Sequence, residues 1–185
     1  MYTGSVPQSV TVTGLVLKTR NYREQDRWVD VLTPEYGRVS CLAKGVRKIS
    51  SKRGSALQPG SLITLHWISL GETRLLTEVR LEESLLPNQS ELTVLRDLSA
   101  ILEIVYHISL EEVEQTTLYQ ATQEILRYIH QNAGEYHRGY IRQALFALLA
   151  EQGIEAPQEA RVASVSELVE SILGRPVHSF AYLQV

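Results

Sequence analysis

From residue 9 to about residue 83 the hydrophobic positions recur at every second residue, and after Pro87 they recur at every third or fourth. The first period is that of strands with one buried face, the second that of helices with an apolar stripe. The spacing predicts strands over residues 9–18, rich in Val, Thr and Leu, and over 27–33; Pro34-Glu35-Tyr36-Gly37 follows as a turn. In the next strand, 38–46, Val39, Cys41 and Ala43 point one way, and Arg38, Ser40, Leu42 and Lys44 the other. In 61–70, Ile63, Leu65 and Trp67 share a face. After Gly71-Glu72, Leu75, Thr77, Val79 and Leu81 alternate with Arg74, Leu76, Glu78 and Arg80. One apolar and one wet face is therefore expected on each strand. Five short antiparallel strands with a long loop over 47–60 suit a closed barrel better than a sandwich, because closure removes exposed edges. The expected fold is a five-stranded OB-fold barrel over residues 1–82, followed by an all-α helical bundle over 88–185.

In that second part Leu92, Leu95, Leu98, Leu102 and Val105 keep helical spacing, and Ile101, Ile104 and Ile108 widen the stripe. A second helix is expected from about residue 112 to 131, and a third from about 136 to 152 with Gly153 as its stop. Ser164-Val165-Ser166-Glu167 has the form of a capping box opening a short fourth helix that ends before Gly174.

Charge divides at the same place as periodicity. The chain of 185 residues has a formal charge of −3. Residues 1–80, however, hold twelve Lys/Arg against six Asp/Glu, and residues 81–185 hold six against fifteen. No carboxylate lies between Glu35 and Glu72, a stretch that contains Arg38, Lys44, Arg47, Lys48, Lys52 and Arg53. Such a stretch makes a positive field. A single cysteine, Cys41, excludes an intrachain disulfide and a cysteine-based zinc cluster, and a reducing compartment is expected. No apolar run reaches the ~20 residues of a membrane span, and the opening MYTGSVPQSV lacks the features of a secretory signal, so a cytoplasmic protein that does not engage a membrane is expected.

Catalytic constellations are missing. There is no G-x-x-x-x-G-K-[ST], no G-x-S-x-G and no H-E-x-x-H. His66, His107, His130, His137 and His178 never fall four apart or beside the cysteine. The basic half carries too few carboxylates to hold the cations of phosphodiester hydrolysis. What stands out is the segment Lys44-Gly45-Val46-Arg47-Lys48-Ile49-Ser50-Ser51-Lys52-Arg53-Gly54, whose small residues let a cationic backbone follow a polymer. Arg38, on the outward face with Lys44, extends that path, and Lys18, Arg20 and Arg23 form a second basic group. Parity puts Trp67 in the core and leaves Trp28 open to either role, whereas Tyr22 and Tyr36 fall at loop positions suited to exposure. Few exposed aromatics imply phosphate contacts, sequence tolerance and strong salt dependence.

The run Gly14-Leu15-Val16-Leu17-Lys18-Thr19-Arg20-Asn21-Tyr22-Arg23-Glu24-Gln25-Asp26-Arg27, then Leu32-Thr33-Pro34-Glu35-Tyr36-Gly37-Arg38-Val39-Ser40, Ala43-Lys44-Gly45-Val46-Arg47 and Leu57-Gln58-Pro59-Gly60 resemble the amino-terminal OB domain of the bacterial recombination mediators of the RecO family. The likeness continues through Leu75-Leu76-Thr77-Glu78 and, more loosely, through Ala147-Leu148-Leu149-Ala150-Glu151-Gln152-Gly153 and Gly174-Arg175-Pro176-Val177-His178-Ser179. The resemblance implies a non-enzymatic DNA repair protein that binds single- and double-stranded DNA and anneals complementary strands. It also implies action with RecR to help RecA displace single-strand-binding protein. Lys44, Arg47, Lys48, Lys52 and Arg53 fall where the family places DNA-contacting cations. Many members insert a four-cysteine zinc module before the tail, but residues 152–164 contain no cysteine, and neither zinc nor another cofactor is expected. Arg138 and Arg142, four apart on one helical face, are candidates for receiving the acidic tail of single-strand-binding protein. Electrostatics alone leaves two other readings open: an RNA-binding OB protein and an adaptor whose positive barrel takes an acidic protein tail.

Overall fold

The structure, a computed structural model, describes residues 9–48, 53–86, 92–132, 137–155 and 164–176. Five strands, β1 (Ser9–Tyr22), β2 (Asp26–Thr33), β3 (Gly37–Ala43), β4 (Ser61–Leu70) and β5 (Thr73–Ser84), precede four helices, α1 (Leu92–Ile108), α2 (Thr116–Gln131), α3 (Arg138–Glu151) and α4 (Val165–Leu173). The strands close a barrel in the order β1-β2-β3-β5-β4. β1 makes closure possible by serving two partners. Its first half pairs with β4, from Ser9 opposite Ile68 to Leu15 opposite Leu62, and its second half pairs with β2 as far as Tyr22 opposite Asp26. Where it changes partner the chain needs a glycine: a Cβ on Gly14 would lie 2.4 Å from Val31 Cγ1 and 2.9 Å from the Leu32 carbonyl. The ring is completed by a parallel contact of β3 with β5 at Cys41 opposite Arg74.

The barrel interior holds Val16, Val29, Val31, Val39, Cys41, Ile63, Leu65 and Trp67, as the alternation predicts. The wet outer face does not hold throughout. Leu15, Leu17, Leu32, Leu62 and Leu85 join the helical core with Leu98, Ile101, Leu102 and Val105, so one side of the barrel is apolar on both faces. A register shift between Val16 and Lys18 lets Leu15, Val16 and Leu17 all be buried. A second shift near Trp67, with Thr77 as the extra residue, places Leu76 inside at 3% exposure on the same face as Val79, so the single alternation expected along β5 breaks there. Each extra residue in a bulge inverts the parity beyond it.

α1 is buried on several sides, as its wide stripe requires. α4 has the predicted cap: the Glu167 amide donates to Ser164 Oγ at 3.2 Å, the Ser164 amide donates to Glu167 Oε2 at 2.9 Å, and Gly174 closes the helix in the left-handed region. α2 begins at Thr116, not at residue 112, because 109–115 is a strap laid on the β2-β3 turn. The Arg38 amide donates to the Leu110 carbonyl at 2.8 Å, Glu112 to Tyr36 at 3.0 Å and Gln115 to Pro34 at 2.8 Å. The expected start of α3 at residue 136 lies outside the described residues. No described helix is long and apolar enough to cross a membrane.

Candidate nucleic-acid interface

Two stretches distant in sequence, the β1-β2 turn with the start of β2 and the segment after β3, meet at one end of the barrel. The β1-β2 turn contributes Arg23, in the left-handed region at φ +53°. β2 contributes Arg27, opposite Ala43 in β3. The segment after β3 contributes Lys44, Arg47 and Lys48, all exposed. β3 ends three residues earlier than its alternation suggests because Gly45, at φ +66°, turns the chain and donates its amide to Asp26 Oδ1 at 2.8 Å. That bond ties the Asp26 carboxylate to the turn.

The loop is tied down through main-chain carbonyls. The Arg47 amide donates to Gln25 O at 3.0 Å, and its Nη1 donates to the carbonyls of Arg23 at 3.2 Å and Glu24 at 3.1 Å. Arg53 donates from Nη2 to Lys44 O at 3.0 Å and from Nη1 to Thr77 O at 3.3 Å, joining the loop to β5. A guanidinium bound to neutral carbonyls keeps its full charge, so the two arginines brace the loop and leave its field intact. Burial and then the Arg47 charge hold Arg27 below the ordinary arginine range. The latter effect places the two guanidinia within electrostatic reach. Arg27 was not singled out by the sequence, since it reads as one strand residue among others; its position in the β2-β3 register, one residue from the turn, is the signal. Lys52, with Ile49, Ser50 and Ser51, lies outside the described residues.

The second basic group divides. Arg23 joins the barrel end, whereas Lys18 and Arg20 lie further along β1, beside the fully buried Asp30, which Arg20 approaches at 3.4 Å. The Lys18 ammonium lies 4.9 Å from the Tyr106 ring centroid, and burial followed by the Arg20 charge lowers its pKa. Arg38 does not extend the barrel-end path. It turns to the helical half, where it pairs with Glu111 at 3.0 Å, donates to the Tyr106 carbonyl and lies 4.5 Å from the Tyr106 ring centroid. The strap brings Glu111 to it, which sequence distance concealed.

In the helical half Arg138 donates from Nε to Asp97 Oδ2 at 3.1 Å, with the carboxylate nearly buried. Arg142 is half-buried on the same helix. Trp67 is 2% exposed, with Tyr36 edge-on at 5.7 Å, while Trp28 is half-buried on the outer face with Tyr22 edge-on at 6.1 Å. Among the described residues no three His, Cys, Asp or Glu side chains gather as metal ligands would.

Residues 8–85 match the family model described as Recombination protein O N terminal. A DNA repair protein RecO of Trichodesmium erythraeum is 32% identical over 156 residues, covering 79% of this chain and 53% of the relative. One of Syntrophobacter fumaroxidans is 32% identical over 113 residues, 61% of this chain and 45% of the relative. Another, of Nitrosococcus oceani, is 47% identical over 62 residues, 34% of this chain and 25% of the relative. The alignments thus span about half or less of the curated relatives' length. The family model falls on the barrel and the longest alignment runs well into the helices: the chain belongs to the RecO family.

Proposed function

We propose that this chain is a non-enzymatic DNA repair and recombination mediator, in which the barrel (1–82) grips the backbones of single- and double-stranded DNA and promotes annealing. The helical part (88–185) serves protein partners in this reading, RecR and single-strand-binding protein among them, and assists RecA loading in a cytoplasmic, nucleoid-associated setting. The observation that carries it is the meeting of Arg23, Arg27, Lys44, Arg47, Lys48 and Arg53 at one barrel end, where they outnumber the Asp26 and Glu24 carboxylates. Two strands held by their phosphates have their charge neutralised and their bases left to pair, which is what annealing requires. The names of the relatives support the DNA repair role.

Arg47 and Arg53 brace the loop, so the test uses exposed cations. Changing Arg23, Lys44 and Lys48 together to Gln should leave thermal unfolding nearly unchanged and weaken binding of a fluorescent oligonucleotide. About six phosphate contacts on a single strand give a log-log salt slope of roughly −4, and the triple variant should lose about half of it. An unchanged slope would place the contacts elsewhere. Competition by unlabelled RNA better than by DNA would favour the RNA reading, and displacement only by an acidic peptide the adaptor reading.

A further inference from the structure

Beside the cationic barrel end lies an aromatic pair that phosphate binding does not use. The strand register builds this part of the outer face row by row: Arg20 of β1 is opposite Trp28 of β2, which is opposite Leu42 of β3, and Tyr22 is opposite Asp26. Val29 and Val31 point into the barrel, and Trp28 lies on the other side, outside the apolar cluster of the interior. Tyr22 is 37% exposed, and its ring meets the Trp28 indole edge-on, the two planes lying at 63°. Arg23 lies 5.1 Å from the Tyr22 centroid, and the Arg20 side chain is 50% exposed.

We propose that Tyr22 and Trp28 form a seat for one unstacked base of a single-stranded polynucleotide whose phosphates are held by the neighbouring cations. The proposal rests on the phosphate reading above and adds base contact to it. Its occupant follows from charge and shape. Cations flank the pair along β1 and in the turn, so a polyanion is drawn to this edge, and an aromatic face beside a guanidinium is what a planar base stacks upon. A duplex keeps its bases inside and gains only the phosphate contacts, so the seat favours single strands. The other aromatic pair on the barrel is unsuited to this role. Trp67 is in the core, and the roughly 490 Å³ pocket beside Tyr36 is edged by Glu72 and by Glu112, the latter paired with Arg74 at 2.6 Å. Two carboxylates against the single cation Arg74 in that lining oppose the phosphates that would have to accompany a base, whereas at the Tyr22 edge Asp26 and Asp30 are outnumbered by Arg20, Arg23, Lys44 and Lys48.

The unaltered full chain decides the matter with two labelled probes, an oligothymidylate and an abasic oligonucleotide of equal length. Stacking of one base should make the oligothymidylate bind about five- to a hundredfold more tightly, and Tyr22→Ala should shrink the difference without changing affinity for the abasic strand. Tryptophan emission gives a second readout that needs no variant: Trp28 should be quenched by oligothymidylate and not by the abasic strand, while Trp67 is shielded by burial. Equal affinities for the two probes, or no differential quenching at saturation, would overturn the seat. Equal affinities with a steep salt slope would do so while leaving the phosphate reading intact; binding to neither probe would overturn both.

Discussion

Cys41 shows how far one side chain's environment sets its chemistry. It is fully buried in the barrel, and burial pushes its thiol up to about 12, with the nearby Arg74 charge only partly opposing the shift. A thiol held protonated is a poor nucleophile, so Cys41 should react with iodoacetamide only when the barrel unfolds. The same shift has a definite sign in stability. The unfolded thiol ionises near 9 while the folded one does not, so unfolding gains free energy as pH rises above 9, and the native state loses stability toward 12. At pH 10 the loss from this group is about 1 kcal/mol. Urea unfolding at pH 8 and pH 10 should show a larger alkaline loss for the natural chain than for Cys41→Val, and equal losses would contradict the assignment. Alternation alone placed Cys41 inside, because no bulge intervenes in β3. It failed for Leu76, since one inserted residue inverts the parity and leaves no mark in composition. Arg38 was misdirected for another reason: its partner Glu111 is 73 residues away, and pairing across that distance depends on how the two parts dock.

At the scale of elements, the strap at 109–115 governs that docking, and Gly37 is its narrowest point. Gly37 has φ +61°, and a Cβ there would stand 2.3 Å from the Leu110 carbonyl oxygen and 2.5 Å from that of Val113. Both atoms belong to backbone, so relief requires the strap to lift. Lifting it disturbs the hydrogen bonds at Pro34, Tyr36 and Arg38 and the bridge between Gly37 and Glu111. Gly37→Ala therefore combines left-handed strain with a displaced interface and should cost about 2 to 4 kcal/mol in urea unfolding. Gly71→Ala provides the comparison: its φ is +60° but nothing lies within 4 Å of the added carbon, so only about 1 kcal/mol of backbone strain is expected. Similar costs for the two would show that the strap yields freely. The turn at residues 34–37 was legible from Pro and Gly, and the cap of α4 from Ser and Glu. The strap was not, because a short irregular segment held by main-chain bonds has no periodicity to read.

At the scale of the molecule, the charge division visible in the sequence is bridged where Arg38 and Arg74 pair with Glu111 and Glu112, and the division of the core does not survive either. Leu15, Leu17, Leu32, Leu62 and Leu85 belong to the barrel by chain position and to the helical core by contact. Five largely buried leucines, each contributing about 1.5 to 3 kcal/mol of burial, exceed what a 75-residue barrel or a small bundle would readily forgo. The two parts should consequently unfold together. The chain itself supplies separate reporters, since both tryptophans, Trp28 and Trp67, lie in the barrel and the four described helices lie beyond it. Tryptophan emission and circular dichroism at the helical band should give coincident urea transitions, with one midpoint and one slope. Leu17→Ala, which removes a barrel side chain from the helical core, should shift both transitions by the same amount, corresponding to about 2 to 5 kcal/mol. Were the two parts independent, that substitution would move one midpoint and leave the other in place, and the natural chain would already show two transitions.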